Sequence, residues 1–328
     1  MRAVVYERTG AAAEVLRVAQ VPTPTAGPGE VLVRVAASGI NPADVKRRAG
    51  WGGMQMDHPL VIPHCDGAGT IEAVGEGSSH DSVGQRVWIW NAQGGYGQAG
   101  RAFGTAAEFI AVPEAHAVPL PIHFTMEQGA CMGVPAMTAH RCVLSDGSVA
   151  GKTVLVQGGA GAVGFLAVQI AIMEGARVFA TVSGPDAAAY VRALGAVPIN
   201  RYDEDCVKQL TDLTDGDGVD RIVEVDFAAN QMIDARLIKP NGTVASYSSS
   251  SDPKPILDYY AFASKGVNVR FIQGFALPED ARAQGQDWLS THNIKIPVAA
   301  TFPLDHCVDA HLQVELAKAF GQTVVTLG

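Results

Sequence analysis

The stretch that decides the fold is Thr153–Met173, which reads TVLVQGGAGAVGFLAVQIAIM. It opens like a buried strand, breaks into a glycine-rich turn and continues as an apolar run of helical length. Gly159, Gly161 and Gly164 have the spacing GxGxxG, which predicts a turn that binds the pyrophosphate of a dinucleotide against the N-terminus of the following helix. We expect contacts along the whole turn, from Gly158 and Gly159 through Ala160, Gly161, Ala162 and Val163 to Gly164.

The next strand bears on which dinucleotide binds. Residues 176–182 read as a strand that ends at Ser183, where an NAD-selective site usually carries Asp or Glu for the ribose 2′-hydroxyl. Serine does not repel a 2′-phosphate, so NADP(H) is expected, with Ser183 and either Arg201 or Arg192 as phosphate partners. Asp186 is the objection, although it also fits the first turn of a helix over 185–194.

Composition narrows the class of protein. The chain has 328 residues, a formal charge of −9 and 48% hydrophobic residues, which supplies material for a large core and makes nucleic acid or an anionic membrane an unsuitable partner. No apolar run is long enough to cross a bilayer, and the first residues alternate like a strand and not like a signal peptide. Five scattered cysteines without a CxxC pair indicate reduced thiols. We therefore expect a soluble cytoplasmic protein.

The pattern of elements changes once along the chain. Up to about residue 120, short strands are broken by Gly and Pro, which indicates a β-rich domain with few helices. From about residue 122, strands alternate with helical segments, which indicates a doubly wound parallel sheet. A last strand over 323–327 is placed to return to the first domain.

Three further segments carry a family resemblance. Residues 38–44 read SGINPAD, residues 133–139 read GVPAMTA, and Gly94, Gly95 and Tyr96 are followed later by AAEF at 106–109. These resemble the motifs of zinc-independent medium-chain dehydrogenase/reductases, most closely the NADPH quinone oxidoreductase group that includes zeta-crystallin. The resemblance covers nearly the entire chain. It implies an α/β protein in which a GroES-like β-rich catalytic domain, 1–121 and 276–328, encloses a Rossmann NADP(H)-binding domain, 122–275, with the active site in the cleft between them.

The resemblance also implies site residues. Asn41 corresponds to a polar residue near the nicotinamide and Thr138 to a residue on its other side. A family tyrosine is Lys46 here and a family lysine on the adenosine phosphate is Ala187. The resemblance further implies a homodimer in which the strand over 267–272 pairs with the same strand of a second copy.

Other candidates follow from the residues themselves. Val225, Asp226, Ser246, Tyr247 and Ser248 lie where strands of a parallel sheet end, the edge at which ligands bind. Asp226 serves equally well as the cap of the next helix.

The family resemblance also bears on whether this protein binds a catalytic zinc ion. Zinc alcohol dehydrogenases of this fold use a cysteine near Asn41, a GHE segment where His64, Cys65 and Asp66 stand, and a second cysteine near Val134. This chain lacks those cysteines and the four-cysteine lobe, so we expect no metal. His64 and Cys65 then belong to a turn that packs Cys65 inside while Asp66 bonds to backbone.

These observations favour hydride transfer from NADPH to a quinone or an α,β-unsaturated carbonyl. Asn41 and Lys46 are the candidates to stabilise negative charge on the acceptor oxygen, and Asn41, Lys46 and Tyr96 are the candidates to line the substrate pocket. Each has an ordinary alternative, because Asn before Pro makes turns and Lys beside two arginines faces water. An NADPH-binding sensor without efficient catalysis, or a zinc alcohol dehydrogenase, are the competing hypotheses.

Overall fold

The computed structural model describes residues 1–94, 100–316 and 320–328. Its strands are β1 (Arg2–Val5), β2 (Arg17–Gln20), β3 (Glu30–Ile40), β4 (Asp66–Val74), β5 (Arg86–Ile89), β6 (Phe109–Pro113), β7 (Ala117–Pro119), β8 (Thr153–Val156), β9 (Arg177–Val182), β10 (Val197–Asn200), β11 (Val219–Glu224), β12 (Ile238–Ser246), β13 (Asn268–Phe271), β14 (Val298–Pro303) and β15 (Gln322–Thr326). Its helices are α1 (Ala12–Val15), α2 (Pro42–Ala49), α3 (Met126–Gly129), α4 (Val134–Leu144), α5 (Ala162–Met173), α6 (Pro185–Arg192), α7 (Cys206–Leu213), α8 (Phe227–Leu237), α9 (Tyr259–Ala263), α10 (Glu279–Thr291) and α11 (Cys307–Glu315).

The chain divides into two compact units. The first unit comprises residues 1–135, 275–278 and 282–328, and the second comprises 136–274 and 279–281. Residues 122–135, which the sequence assigned to the nucleotide-binding domain, are grouped with the first unit because α3 packs against β3 and β4.

The first unit is built on a sheet in the order β14-β15-β3-β4-β5-β7, and β6 also pairs with β3. Val31, Val33 and Val35 of β3 are buried at every second position, which places one side of the strand in the core. The C-terminal strand β15 pairs antiparallel with β3, with Thr323 opposite Ile40. The predicted return of the last strand to the first domain is therefore confirmed.

Helix α2 interrupts this β-rich unit, where the sequence indicated few helices. It begins because Pro42 occupies the first helical position and the Asn41 N–H donates to the Asp44 carboxylate at 2.7 Å. It ends at Gly50, whose φ of +71° is left-handed and suits glycine.

The second unit contains a parallel sheet in the order β10-β9-β8-β11-β12-β13. This is the strand order of a dinucleotide-binding fold, in which the order reverses between the first and fourth strands, here β8 and β11. The predicted doubly wound sheet is confirmed, and its ligand-binding edge lies where β8 and β11 end. Among the helices of the described chain, none is both long and apolar enough to cross a bilayer.

Candidate functional site

The turn after β8 leaves room for a ligand at one glycine. A Cβ on Gly159 would lie 2.5 Å from Ala180 Cβ, and one on Gly164 would lie 2.2 Å from the Gly158 carbonyl oxygen. Those two glycines are required by the packing of the chain itself. A Cβ on Gly161 would meet nothing closer than 3.4 Å, and Gly161 is exposed. The fold therefore tolerates a side chain at Gly161, and the space in front of its backbone is open to a bound group.

The N-terminus of α5 begins at this turn. Gly161 is the N-cap residue of α5 and has no side chain to accept hydrogen bonds from the first helical amides. Gly158 has a φ of +70°, and its own N–H donates to Thr181 Oγ1 at 2.8 Å. The turn is thus fixed to β9, while the first amides of α5 and the positive end of its dipole suit an anion.

Ser183 and Arg201 lie next to each other at the edge of the sheet. The Arg201 N–H donates to the carbonyl of Val182, the last residue of β9, at 2.9 Å, and Ser183 follows directly. Both residues are exposed, and the Arg201 guanidinium lies 4.8 Å from the centre of the Tyr202 ring. Arg192 instead ends α6, the helix that begins at Pro185.

Asp186, the carboxylate that argued against NADP(H), does not lie at the end of β9. Asp186 lies exposed in the first turn of α6, as its alternative assignment predicted. Ser183, which follows β9, carries a hydroxyl group, and Arg201 beside it carries a cationic side chain.

The predicted residues after β11 and β12 form one connected loop region. Asp226 precedes α8, and its carboxylate accepts hydrogen bonds from the backbone N–H and hydroxyl of Ser251 and not from α8. Val225 lies beside the glycine turn, with Cγ1 3.3 Å from where a Cβ on Gly158 would be.

The same region includes the end of β12. The Tyr247 N–H donates to the Glu224 carbonyl at 3.1 Å, and Ser246 Oγ donates to the Ser248 carbonyl at 3.3 Å. The candidates from both strand ends are therefore neighbours in the second unit. Thr138, in α4, is buried in the same unit.

A buried polar network connects the glycine turn after β8 to β9 and α8. Thr181 Oγ1 donates to Gln157 Oε1 at 2.8 Å, and Gln157 Nε2 donates to Asp234 Oδ1 at 2.9 Å. Burial raises the pKa of Asp234 well above its usual value, and the charge of Glu224 raises it further. We assign a proton to Asp234 at neutral pH, because two ionised carboxyl groups in this interior would repel each other. Sequence reasoning missed this network, since its members are far apart in the chain.

We predict that Asp234→Asn changes the pH dependence of stability. A carboxyl group with a raised pKa in the folded state stabilises the fold below its unfolded pKa, and that contribution is lost as pH rises through the folded pKa. The free energy of unfolding of the wild type should therefore fall relative to that of Asp234→Asn as the pH rises above about 4, the unfolded pKa of an aspartate. Urea unfolding at a series of pH values from about 4 upward measures it, with Asp217→Asn, at an exposed position, as the control. Parallel pH profiles for the wild type and Asp234→Asn would contradict the raised pKa of Asp234.

In the first unit, Asp66 is the centre of a second buried network. Its Oδ2 accepts hydrogen bonds from Asn41 Nδ2 and from the Val134 N–H, both at 2.8 Å, and a Cβ on Gly133 would lie 2.1 Å from Oδ1. Burial raises the pKa of Asp66 to about 7, although the hydrogen bond from Asn41 opposes this shift. The prediction that Cys65 is packed inside and Asp66 bonds to backbone is confirmed.

Asn41 has both ends of its amide engaged. Nδ2 donates to Asp66, Oδ1 accepts from Gln322 Nε2 at 3.1 Å, and the residue is 4% exposed. The side chain therefore links the start of α2 to β4 and β15. Its partner Gln322 was not recognised from the sequence, because the two are 281 positions apart.

Lys46 and Arg47 are half-buried on α2. Lys46 Nζ lies 4.6 Å from the centre of the Trp51 ring. The Arg47 guanidinium donates to Cys65 Sγ at 3.4 Å and lies 5.1 Å from the centre of the Phe275 ring. Tyr96, the remaining pocket candidate, lies outside the described residues.

At two of the alcohol dehydrogenase zinc positions, those of Asn41 and Val134, this chain offers no thiolate ligand. Asn41 is held by Asp66 and Gln322, and Val134 contributes only a backbone N–H to Asp66. A catalytic zinc requires three protein ligands around an open position, and a valine side chain offers none. No step of the reaction is therefore assigned to zinc at these positions.

Comparison with known proteins agrees with this geometry. A sequence profile described as "Alcohol dehydrogenase GroES-like domain" matches residues 27–122, and one described as "Zinc-binding dehydrogenase" matches residues 162–290. The quinone oxidoreductase of Rattus norvegicus is 32% identical over 249 residues, which are 74% of this chain and 72% of the rat protein.

The chain belongs to the medium-chain dehydrogenase/reductase family, in its quinone oxidoreductase group.

Solved structures of this family superpose over the whole chain. A mycobacterial protein in complex with NADPH has a TM-score of 0.84 and 29% identity, covering 100% of both chains. A protein described as an NAD-dependent alcohol dehydrogenase has a TM-score of 0.89 and 28% identity, also covering 100% of both chains. The GroES-like and Rossmann folds expected from the resemblance are confirmed, and this medium-chain dehydrogenase/reductase is an oxidoreductase of the quinone oxidoreductase type.

Proposed function

We propose that the protein reduces a quinone or an α,β-unsaturated carbonyl compound with NADPH, without a catalytic metal. The observation that carries this proposal is the exposed Gly161 at the start of α5, which has room for an added Cβ and lies between two glycines that the fold itself requires. Bound NADPH supplies the hydride, and the protein supplies binding and orientation. The mycobacterial relative in complex with NADPH supports the choice of cofactor.

The preference for NADPH over NADH depends on Ser183 and Arg201. Phosphate oxygens accept hydrogen bonds from hydroxyl and guanidinium groups. Here Ser183 follows β9, Arg201 follows the neighbouring strand β10, and both residues are exposed. Tyr202 packs against the guanidinium, and its hydroxyl accepts from Arg201 Nη2 at 2.7 Å, which limits the positions that the arginine samples.

On the acceptor side, Lys46 is the proposed cation. Negative charge accumulates on the acceptor oxygen as hydride arrives, and an ammonium group near that oxygen lowers the barrier. Asn41 is assigned a positioning role, because its amide is already engaged and holds the N-terminus of the helix that carries Lys46.

Gly161→Val tests the ligand space in front of the turn. We expect the variant to fold with a stability close to that of the wild type, because the added side chain meets no atom of the chain at Cβ closer than 3.4 Å. NADPH affinity should fall about tenfold or more, since the valine occupies the approach to the helix amides. Calorimetric titration measures the affinity.

Gly164→Val is the comparison, because its Cβ collides with the Gly158 carbonyl and the fold itself should lose stability. Unchanged NADPH binding in Gly161→Val would contradict the proposed site.

Arg201→Ala tests the 2′-phosphate contact. Removing the guanidinium should raise KM for NADPH about tenfold while leaving KM for NADH nearly unchanged, which corresponds to about 1.4 kcal/mol. Arg192→Ala is the matched control, because Arg192 is also exposed but lies at the far end of α6. An equal effect on both coenzymes would show that Arg201 does not contact the phosphate.

The reaction itself is tested by turnover. With NADPH and a panel of quinones and enones, the wild type should oxidise the coenzyme, and Lys46→Met should lower kcat on the order of 100-fold with unchanged NADPH affinity. Loss of the reduced nicotinamide absorbance measures the rate. Tight NADPH binding without turnover on any acceptor would instead favour the sensor hypothesis, and a wild-type rate in Lys46→Met would remove Lys46 from the mechanism.

We further propose a cytoplasmic homodimer. Strand β13 is an edge strand of the second-unit sheet, and Phe271 at its end is 72% exposed, so both backbone groups and an apolar ring are available to a second copy. Light scattering that gives the mass of one chain at micromolar concentration would contradict the dimer.

A further inference from the structure

Three side chains of metal-ligating types meet in the core of the first unit, and two of them, Cys307 and His311, belong to none of the sites described above. His64 lies in the segment before β4, while Cys307 and His311 are four positions apart on α11. Their ligand atoms all lie within 4.8 Å of one another, and each residue is no more than 2% exposed. Residues i and i+4 share one face of a helix, so the sequence CVDAH presents its thiol and imidazole on the same side.

His64 is held in an unfavourable backbone conformation. Its φ is +78°, in the left-handed region that is uncommon for residues other than glycine, although Asn, Asp and His adopt it more often than the rest. This conformation accompanies an imidazole whose Nε2 lies 2.9 Å from Nε2 of His311. Backbone strain of this kind is concentrated at functional sites.

A chain of hydroxyl groups fixes the tautomer of His64. Thr105 Oγ1 donates its hydrogen to the Asp66 carbonyl at 2.5 Å, so it accepts from Ser38 Oγ at 2.7 Å. Ser38 Oγ must then accept from His64 Nδ1 at 2.8 Å. The proton of His64 is therefore on Nδ1, and Nε2 carries a lone pair aimed at His311. This is how a metal-binding histidine is usually prepared, with its second nitrogen donating to a neighbour.

His311 is incompletely satisfied. In the absence of an ion it donates Nε2–H to His64, and then its buried Nδ1 has no hydrogen-bond partner within the described chain. His64 is a neutral ligand, because its one proton is on Nδ1 and its Nε2 carries the lone pair that faces His311.

We propose that His64, Cys307 and His311 form a buried binding site for one Cu(I) ion. Thiolate and imidazole donors suit soft or borderline ions and exclude Mg²⁺ and Ca²⁺. Metal–nitrogen and metal–sulfur bonds of about 2.0 and 2.3 Å place donors about 3 to 4 Å apart, so these donors require only small shifts to share an ion.

Charge selects Cu(I) over Zn²⁺. Binding breaks the S–H bond of Cys307, releases its proton to solvent and forms a metal–sulfur bond without any change of oxidation state. Cu(I) with one thiolate and two neutral imidazoles is electrically neutral, whereas Zn²⁺ leaves a net positive charge. The nearby charges are those of Arg48, which is 1% exposed and paired with Glu315, and of Asp44, which acts on Cys307 more strongly than Arg48 does. A net positive charge buried among these side chains is costlier than a neutral site.

The test is a Cu(I) titration of the full chain under anaerobic, reducing conditions, in competition with a chromogenic Cu(I) chelator. The wild type should retain one equivalent, and its melting temperature should rise by about 3 °C or more. Incubation for hours is needed, because the buried donors are reached only through local opening.

Two ligand variants and one control locate the ion. Cys307→Ser and His64→Gly should each weaken Cu(I) binding by about 100-fold or more, beyond the loss caused by outer-shell changes. His64→Gly should still fold, since glycine readily adopts a positive φ. Cys131→Ser is the control, because Cys131 is an equally buried thiol of the same unit outside the cluster. The proposal is overturned if the wild type yields all Cu(I) to the chelator, if Cys307→Ser retains wild-type affinity, or if Zn²⁺ binds in preference to Cu(I).

Discussion

Helix α5 begins so close to the preceding turn that the Gly158 carbonyl oxygen lies only 2.2 Å from where a Cβ on Gly164 would be. This approach brings the first amides of α5 to the end of β8, at the point where the strand order of the second unit reverses. Thr181 fixes the other side of the turn through the Gly158 N–H. The proposed anion site is therefore built by close packing of backbone, and we propose that Ser183 and Arg201 discriminate between the coenzymes.

The two buried carboxyl networks have comparable structural roles. In the first unit, Asp66 connects α2, β4 and the start of α4 through Asn41 and Val134. In the second unit, Asp234 connects α8 to the glycine turn through Gln157 and Thr181. In both, burial raises the pKa of an aspartate, and neutral amide donors limit the electrostatic cost. Polar networks of this kind specify one arrangement of elements, because a half-satisfied network is costly.

Local patterns in the sequence predicted much of the fold. The β-branched run at 177–182 is β9, the GxGxxG segment is the strand–turn–helix unit, and the last strand returns to the first unit. These features are recorded in neighbouring residues. Helix α2 was missed because its start depends on the Asn41–Asp44 capping contact inside an otherwise β-rich region. The last residues of β3, up to Ile40, pair with β15, which lies at the other end of the chain.

The candidate site residues likewise divide into those that a local pattern placed and those whose partners are distant in the chain. The placement of Ser183 and Arg201 at strand ends was predictable, because each directly follows a strand of the parallel sheet, while their contact with a phosphate stays a prediction. The engagement of the Asn41 amide and the meeting of His64 with His311 were not predictable, because their partners are 281 and 247 positions away. Pairing over such separations is decided by tertiary packing, and a single sequence carries no local signal for it.

The most direct test of the central claim is a calorimetric titration of the unmodified protein with NADPH and with NADH. We predict one NADPH per chain, bound about tenfold or more tightly than NADH, because the backbone of the glycine turn holds the pyrophosphate and Arg201 holds the 2′-phosphate. The absence of a binding signal for both coenzymes would contradict the account.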